Sequence, residues 1–440
     1  MRLHRVGALA AVSVLAFAAC TQGGGASTAP SSAPSASAGG GGSAAPSAGG
    51  TDKGTVKVAI ELPLQGSELA ASQPIINGIK LAIKEAGGAA GGYAVEIPDS
   101  AIYDDAVNGA HDPQTGAQNM TTIVGDPDVV AVIGPLNSSV ALTQIPISNE
   151  AGLLQCSPAN TNQGLTKPEF GALDVRKTNP DRINYVRVVT TDDNQGPAAA
   201  RYILENLNAK KVYIIDDTET FGKGIADTFQ EYLEANGGTV VKRDGVPKTN
   251  TDYASIMTSA AALAPEAIYF GGVTATGGAR ILKAAVQAGL GEIPYVGPDG
   301  IYDGSGETKD SFLNLAGADA KNAYATAAAI GDFPGRADFE ARYEAEYGEA
   351  PTGYSATGFA CAQVVLDAMN RAADAGGDMA TLRENVRAAA VDPSHTYTSV
   401  IGDFTFDENG DTSQKIISFY SYDAAANNWT FKEQLDFGAP

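Results

Sequence analysis

From residue 55 onward, short runs rich in Val and Ile alternate with longer segments whose apolar residues recur at helical spacing. TVKVAIEL precedes IINGIKLAIKEAGG, VVAVIGP precedes VALTQIPISNEAG, and KKVYIIDD precedes GKGIADTFQEYLEANGG. EAIYFGG then leads into GGARILKAAVQAGL, followed by IPYVGPD. A strand that is apolar at every position is buried on both faces, so the alternation predicts α/β architecture: doubly wound parallel sheets covered by helices on each side. Two sheets are expected, one in about 55–178 and one in about 179–319, because 440 residues exceed what one ordinary core supports. Beyond them, DFEARYEAEYGEAPTGYSATGFACAQVVLDAMNRAADAGG reads as two amphipathic helices around a turn at Pro351-Thr352-Gly353. GDFTFDENGDTSQKIISFYSYD reads as a hairpin turning at Asn409-Gly410.

Polar residues gather where the strands end: Gln65 to Ser67, Ser138, Ser157 to Thr161, Asp192 to Gln195, Asp216 to Phe221, and Asp299. In open α/β sheets that edge is the ligand edge, because helix N-termini and free backbone N–H groups converge there. Each residue taken singly is equally at home as a turn or cap. The stretch VVAVIGPLNSSVALTQIP is the clearest instance, since Gly134-Pro135 ends a strand and Ser138 and Ser139 open a helix. Such a turn suits a small anion.

Charge narrows the function. With 29 basic and 51 acidic residues the net charge is −22, which excludes the basic surface a nucleic-acid binder needs. The first residues read as an export signal: Arg2 and Arg5, then an apolar run from Val6 to Ala18 too short to span a bilayer comfortably. That run ends in LAFAAC, the pattern of a bacterial lipobox with Phe17 where leucine is usual, which makes Cys20 the expected lipidation site and 1–19 the signal peptide. A plain secretory signal is the alternative. Residues 21–54 are almost wholly Gly, Ala, Ser, Pro and Thr, a disordered tether with a typical reach of about 30 Å. Cys156 and Cys361 lie among apolar neighbours and read as two buried free thiols, with a disulfide as the alternative in an oxidising compartment.

Chemistry of the catalytic kind has no signal. His111 and His395 stand in no metal-ligand spacing and read as surface residues. No G-x-S-x-G elbow occurs, the Gly222-Lys223 pair lacks the rest of a phosphate loop, and DENGD lacks the rest of a calcium loop. Neither an enzyme nor a cofactor is called for.

Assembled in order, NGIKLAIKEAGG, VVAVIGPLNSSVALTQIPISNEAGLLQCSPANTNQGLT, VRVVTTDDNQGPAAARYI, FGKGIADTF and GDFTFDENGD resemble the leucine/isoleucine/valine-binding family of solute receptors for ABC transporters. The resemblance spans nearly all of 55–440. It implies the type I periplasmic binding protein fold, two doubly wound lobes joined by a three-crossing hinge, with 55–178 plus 320–414 as lobe 1 and 179–319 plus 415–440 as lobe 2. It also implies that Ser138, the Ala159 backbone N–H and Thr161 grip a ligand carboxylate, and that Asp299, one methylene shorter than the usual glutamate, meets the ammonium. Phe221 stands where the family has tyrosine and Val273 where it has another aromatic, with Thr274 or Thr276 as compensating oxygens. Ala71 replaces a bulky specificity residue, which implies a roomier side-chain pocket. The expected protein is a monomeric, lipid-anchored, extracytoplasmic receptor, on the cell surface or in the periplasm, that hands a branched-chain or other small amino acid, or a related amide, to a membrane permease. A sensory receptor reporting to a membrane signalling protein is the alternative, and an amidohydrolase on the same fold a third reading.

Overall fold

The computed structural model describes residues 52–376 and 379–438. The export signal, Cys20 and most of the tether lie outside the described residues.

Two seven-stranded sheets organise the chain. The first runs in the order Ala89–Ala90, Tyr93–Glu96, Thr55–Leu62, Val129–Ile133, Leu154–Ser157, Tyr185–Arg187, with Ile102–Asp104 also pairing along Thr55–Leu62. All its pairings are parallel except the Ala89–Ala90 edge. The second runs Thr239–Gly245, Lys211–Asp216, Ala267–Gly271, Tyr295–Gly297, Ala323–Ala327, Ile416–Asp423, Asn428–Asp436, and its last two strands are antiparallel.

Successive side chains on a strand face opposite sides, and here both sides are buried. In the first sheet Val58, Ile60 and Leu62 pack with Ile75 and Ile79 of helix Leu69–Glu85 and Phe359 of helix Ser355–Asp374. Ala59 and Val132 pack on the other side with Met120 and Ile123 of helix Pro113–Gly125. The second sheet repeats the device, Ile215 and Phe270 meeting Ile281 and Leu282 on one face, Ile214 and Tyr269 meeting Phe229 and Leu233 on the other.

The chain passes between the sheets three times: after Arg187, after Ala327, and between Phe404, which packs in the first core, and Ile416. The strand positions fall beyond the boundaries expected at 178 and 319. Tyr185–Arg187 still pairs with Leu154–Ser157, and Ala323–Ala327 with Tyr295–Gly297, because each buried run completes its own sheet before the chain crosses.

Three expectations are corrected. GDFTFDENGDTSQKIISFYSYD is not one hairpin: Gly402–Phe404 pairs back with Tyr397–Ser399, and Ile416–Asp423 pairs forward with Asn428–Asp436. The Asp407 to Asp411 turn closes only an isolated Phe406–Thr412 bridge, since Asp411 is taken by the buried Arg187 at 2.7 Å. Cys156 and Cys361 are not free thiols but a disulfide, with Cα atoms 5.8 Å apart, tying strand Leu154–Ser157 to helix Ser355–Asp374. His111 is not on the surface; it is 3% exposed and ion-paired with Glu68 at 2.8 Å.

Candidate functional site

The first wall of the cleft is made by two strand-to-helix turns. After Val129–Ile133 the chain turns at Gly134, whose φ of +134° and approach to the Glu61 carbonyl leave no room for a Cβ. Asn137 is the extended residue before helix Ser138–Ala151, so Ser138 and Ser139 sit in its first turn, where backbone N–H groups lack helical partners. The loop after Leu154–Ser157 is held from beneath by Arg187, which donates from Nη1 to the Asn160 and Asn162 carbonyls at 3.3 and 2.7 Å. Thr161, between them, is 1% exposed, and its hydroxyl makes no well-formed hydrogen bond although it lies beside the Asp192 carboxyl. The Ala159 N–H, expected to face a carboxylate, donates over 3.3 Å to Ser157 Oγ.

The second wall comes from the other sheet. Phe221 opens helix Thr220–Ala235, Val273 and Thr274 follow strand Ala267–Gly271, and Asp299 and Asp303 follow Tyr295–Gly297. Asp299 accepts from Gln195 Nε2 at 2.9 Å and from the Tyr354 hydroxyl. Burial raises it to about 6 against the pull of those two bonds. Asp192 is fully buried at the start of helix Asp192–Glu205, and neither of its carboxyl oxygens has a well-formed bond, although the Thr161 hydroxyl is beside it. Burial, and next the Asp299 charge, push it well above the usual carboxylate range.

Between these walls lies a cavity with about 490 Å³ of open space, part of it continuous with solvent. Ser138, Ala159, Thr161, Phe221, Val273 and Asp299 all line it, as do Ala71 and Thr274. Thr276 does not; its hydroxyl is committed to Asp217 at 2.7 Å. At one end lie residues of the crossings: Asp192 N–H donates to the Thr161 carbonyl at 2.8 Å, and Gln195 also reaches Thr326. At the other end the sheets are bridged. His111 Nε2 stands 3.8 Å from Glu219, and Lys248 reaches Glu219 at 3.3 Å and the His111 carbonyl at 3.1 Å. Burial would discharge His111, but the Glu68 charge and the bonds of Glu68 and Glu219 outweigh it and raise the imidazole to about 10. His111, ahead of burial and Lys248, holds Glu219 at about 2.

Sequence reasoning passed over Glu68, Asp192 as an individual, Asp303, Tyr354 and Arg187. Only Arg187 had a signal, a charge inside the apolar run YVRVV. The others become visible when strand ends 40 or more residues apart in sequence meet, as in the Glu68–His111 bond with its separation of 43.

Two sheet-built lobes with a deep, polar-ended cavity between their carboxyl edges define a hinged solute-binding protein. The periplasmic binding protein family matches residues 55–426, and the chain belongs to that family of non-enzymatic solute binders. It is similar to "Leu/Ile/Val-binding protein homolog 2" of Brucella abortus, 28% identical over 370 residues that cover 83% of this chain and 90% of that one. In fold it is similar to the leucine-binding protein LivK of Thermotoga maritima, with a TM-score of 0.74 and 24% identity over 87% of this chain and 99% of that one. It is also similar to LivJ of Streptococcus pneumoniae in complex with isoleucine, with a TM-score of 0.71 and 24% identity over 87% and 99% of the two chains. The family is extracytoplasmic, and no helix among the described residues is long and apolar enough to cross a membrane.

Proposed function

We propose that this chain is the solute receptor of an ABC importer and that it binds a branched-chain or other small amino acid, or a related amide, as a zwitterion in the cleft. The observation that carries the reading is the polarity of the cleft. Ser138, Thr161 and the first turn of helix Ser138–Ala151 offer hydroxyl and N–H donors on one wall, and Asp299 offers a buried carboxylate on the other. A carboxylate is met by donors at a helix N-terminus and an ammonium by a carboxylate, and each interaction strengthens as closure excludes water. The buried Asp192, whose oxygens have no well-formed bond, adds to the case for a cationic group beside Asp299.

The lobes are taken as the two sheets with their helices, hinged on the three passages. Ser138, Ala159 and Thr161 bind first, and Phe221, Val273 and Asp299 complete the pocket on closing. A closed receptor then presents the surface that a membrane permease recognises. Cys20 carries the lipid that keeps a monomeric receptor at the membrane, and the Gly- and Ser-rich tether gives it reach.

A thermal-shift screen of the purified protein against amino acids, amides, urea and small carboxylates tests the reading. A solute at about 100 times its Kd adds about 2.7 kcal/mol of stability. A shift with an amino acid that disappears in Asp299→Ala is the expected result. Shifts only with solutes lacking an ammonium group would reject the zwitterion.

A further inference from the structure

At the bridged end of the cavity the lining is made of hydrogen-bond acceptors. Glu68 Oε1 accepts from His111 Nδ1 at 2.8 Å and from Asn137 Nδ2 at 2.7 Å, and Oε2 accepts the His111 backbone N–H at 2.6 Å. An ionised carboxylate only accepts, so the Asn137 amide must turn its nitrogen to Glu68. That leaves Asn137 Oδ1, on a residue only 6% exposed and lining the cavity, with no partner in the protein. From the other wall Asp303, also lining and 5% exposed, spends Oδ1 on the Phe312 N–H at 2.8 Å. Burial raises Asp303 to about 7, opposed by bonds from Thr274 and Phe312, and the Glu68 charge adds to the rise. Asp303 and Glu68 thus line one cavity, each from its own wall. Among the described residues no Lys, Arg or His lines this cavity.

We propose that Asn137 and Asp303 select a solute whose side chain ends in N–H donors and carries no negative charge, an amide- or amine-tipped amino acid, over an aliphatic one of the same size. The proposal rests on the amino-acid reading of the site. Ala71, Leu136 and Val273 offer apolar surface to the methylenes of such a side chain. An aliphatic tip would strip water from Asn137 Oδ1 and return nothing, a mismatch that a pocket built for hydrogen bonds punishes far more than a missing methylene. A carboxylate tip would add a charge beside Glu68 and Asp303 with no cation on the lining to meet it.

Calorimetric titration of the protein with two near-isosteric pairs, glutamine against methionine and lysine against norleucine, and with glutamate, tests this directly. The donor-tipped member of at least one pair is expected to bind about tenfold or more tighter than its partner, and glutamate to be rejected. Asp303→Asn keeps Oδ1 for the Phe312 N–H but puts a donor in place of the other carboxyl oxygen, and it should reduce that preference about tenfold. If methionine and norleucine match or exceed their partners while Asp299→Ala still abolishes their binding, the proposal is overturned and the zwitterion site stands. If none of the five binds, or Asp299→Ala leaves binding intact, the zwitterion reading fails and takes the proposal with it.

Discussion

The two walls of the cleft differ in chemistry and in how they are cross-linked. The first-sheet wall presents hydroxyls and backbone N–H groups beside the Glu68 carboxylate and the Asn137 amide, and it is tied by the Cys156–Cys361 disulfide, the Arg187–Asp411 pair and the His111–Glu68 pair. The second-sheet wall presents the carboxyls Asp299 and Asp303, and among the described residues it carries no disulfide. Its carboxyls are raised by burial rather than lowered by cations, to about 6 and about 7. The difference teaches how a lining with no Arg or Lys among the described residues would hold the proposed zwitterion: uncharged donors on one wall, and the Asp299 carboxyl on the other.

The asymmetry in cross-linking is the easiest to break. The disulfide closes a loop of 205 residues, and Cys361→Ser or reduction should lower stability by about 2–5 kcal/mol, read as a fall in melting temperature. An unchanged melting temperature in reductant would mean that packing alone holds the first wall.

Next in size is the charged contact. Asp299→Ala should weaken an amino acid about 100-fold, because the ammonium is left buried without its counter-charge. The pH dependence sharpens the same point. Asp299 sits near pH 6 in the unliganded protein, so below that value binding an ammonium must first expel a proton, and affinity should fall as pH drops through about 6. The sign for folding is the reverse: a carboxyl raised above its unfolded value contributes stability that is whole at low pH and lost as pH rises through about 6. Titrations from pH 7.5 to pH 5 that show constant affinity would remove Asp299 from the ammonium.

Single donors on the first wall should matter less. Ser138→Ala or Thr161→Val is expected to cost about tenfold in affinity each, one hydrogen bond to a charged group in a site with several others. If both leave calorimetric affinity intact, the carboxylate is not held there. The smallest effect is expected at the bridge. Glu219 is part-exposed, and Glu219→Gln should weaken binding only about threefold, seen mainly as faster release in stopped-flow dissociation. A larger loss would mean that the bridge, rather than the solute, holds the lobes together.

The repeat of strand and helix was readable because burial on both faces leaves a continuous apolar run, and because a helix facing a sheet keeps its own period. Val129–Ile133 and Ala267–Gly271 show it plainly, each buried at every position. The turn chemistry that puts Ser138, Thr161 and Asp299 at strand ends was equally local. GDFTFDENGD misled for the converse reason. Its turn residues promised a hairpin, but pairing partners are chosen across the sheet, and Ile416–Asp423 found Ala323–Ala327 and Asn428–Asp436 instead.

What the sequence determined by itself was the α/β class, the two sheets, and the short polar segments at the strand ends, since each depends on neighbours within a few residues along the chain. What the tertiary structure alone decided was which of those segments share one cavity and which charges are buried. His111 looked like a surface residue until Glu68, Glu219 and Lys248 surrounded it, and Cys156 looked like a free thiol until helix Ser355–Asp374 carried Cys361 to it. The physical reason is common to both: the state of a charge or a thiol is set by the dielectric and the partner around it, and those arrive from distant parts of the chain only when the lobes are built.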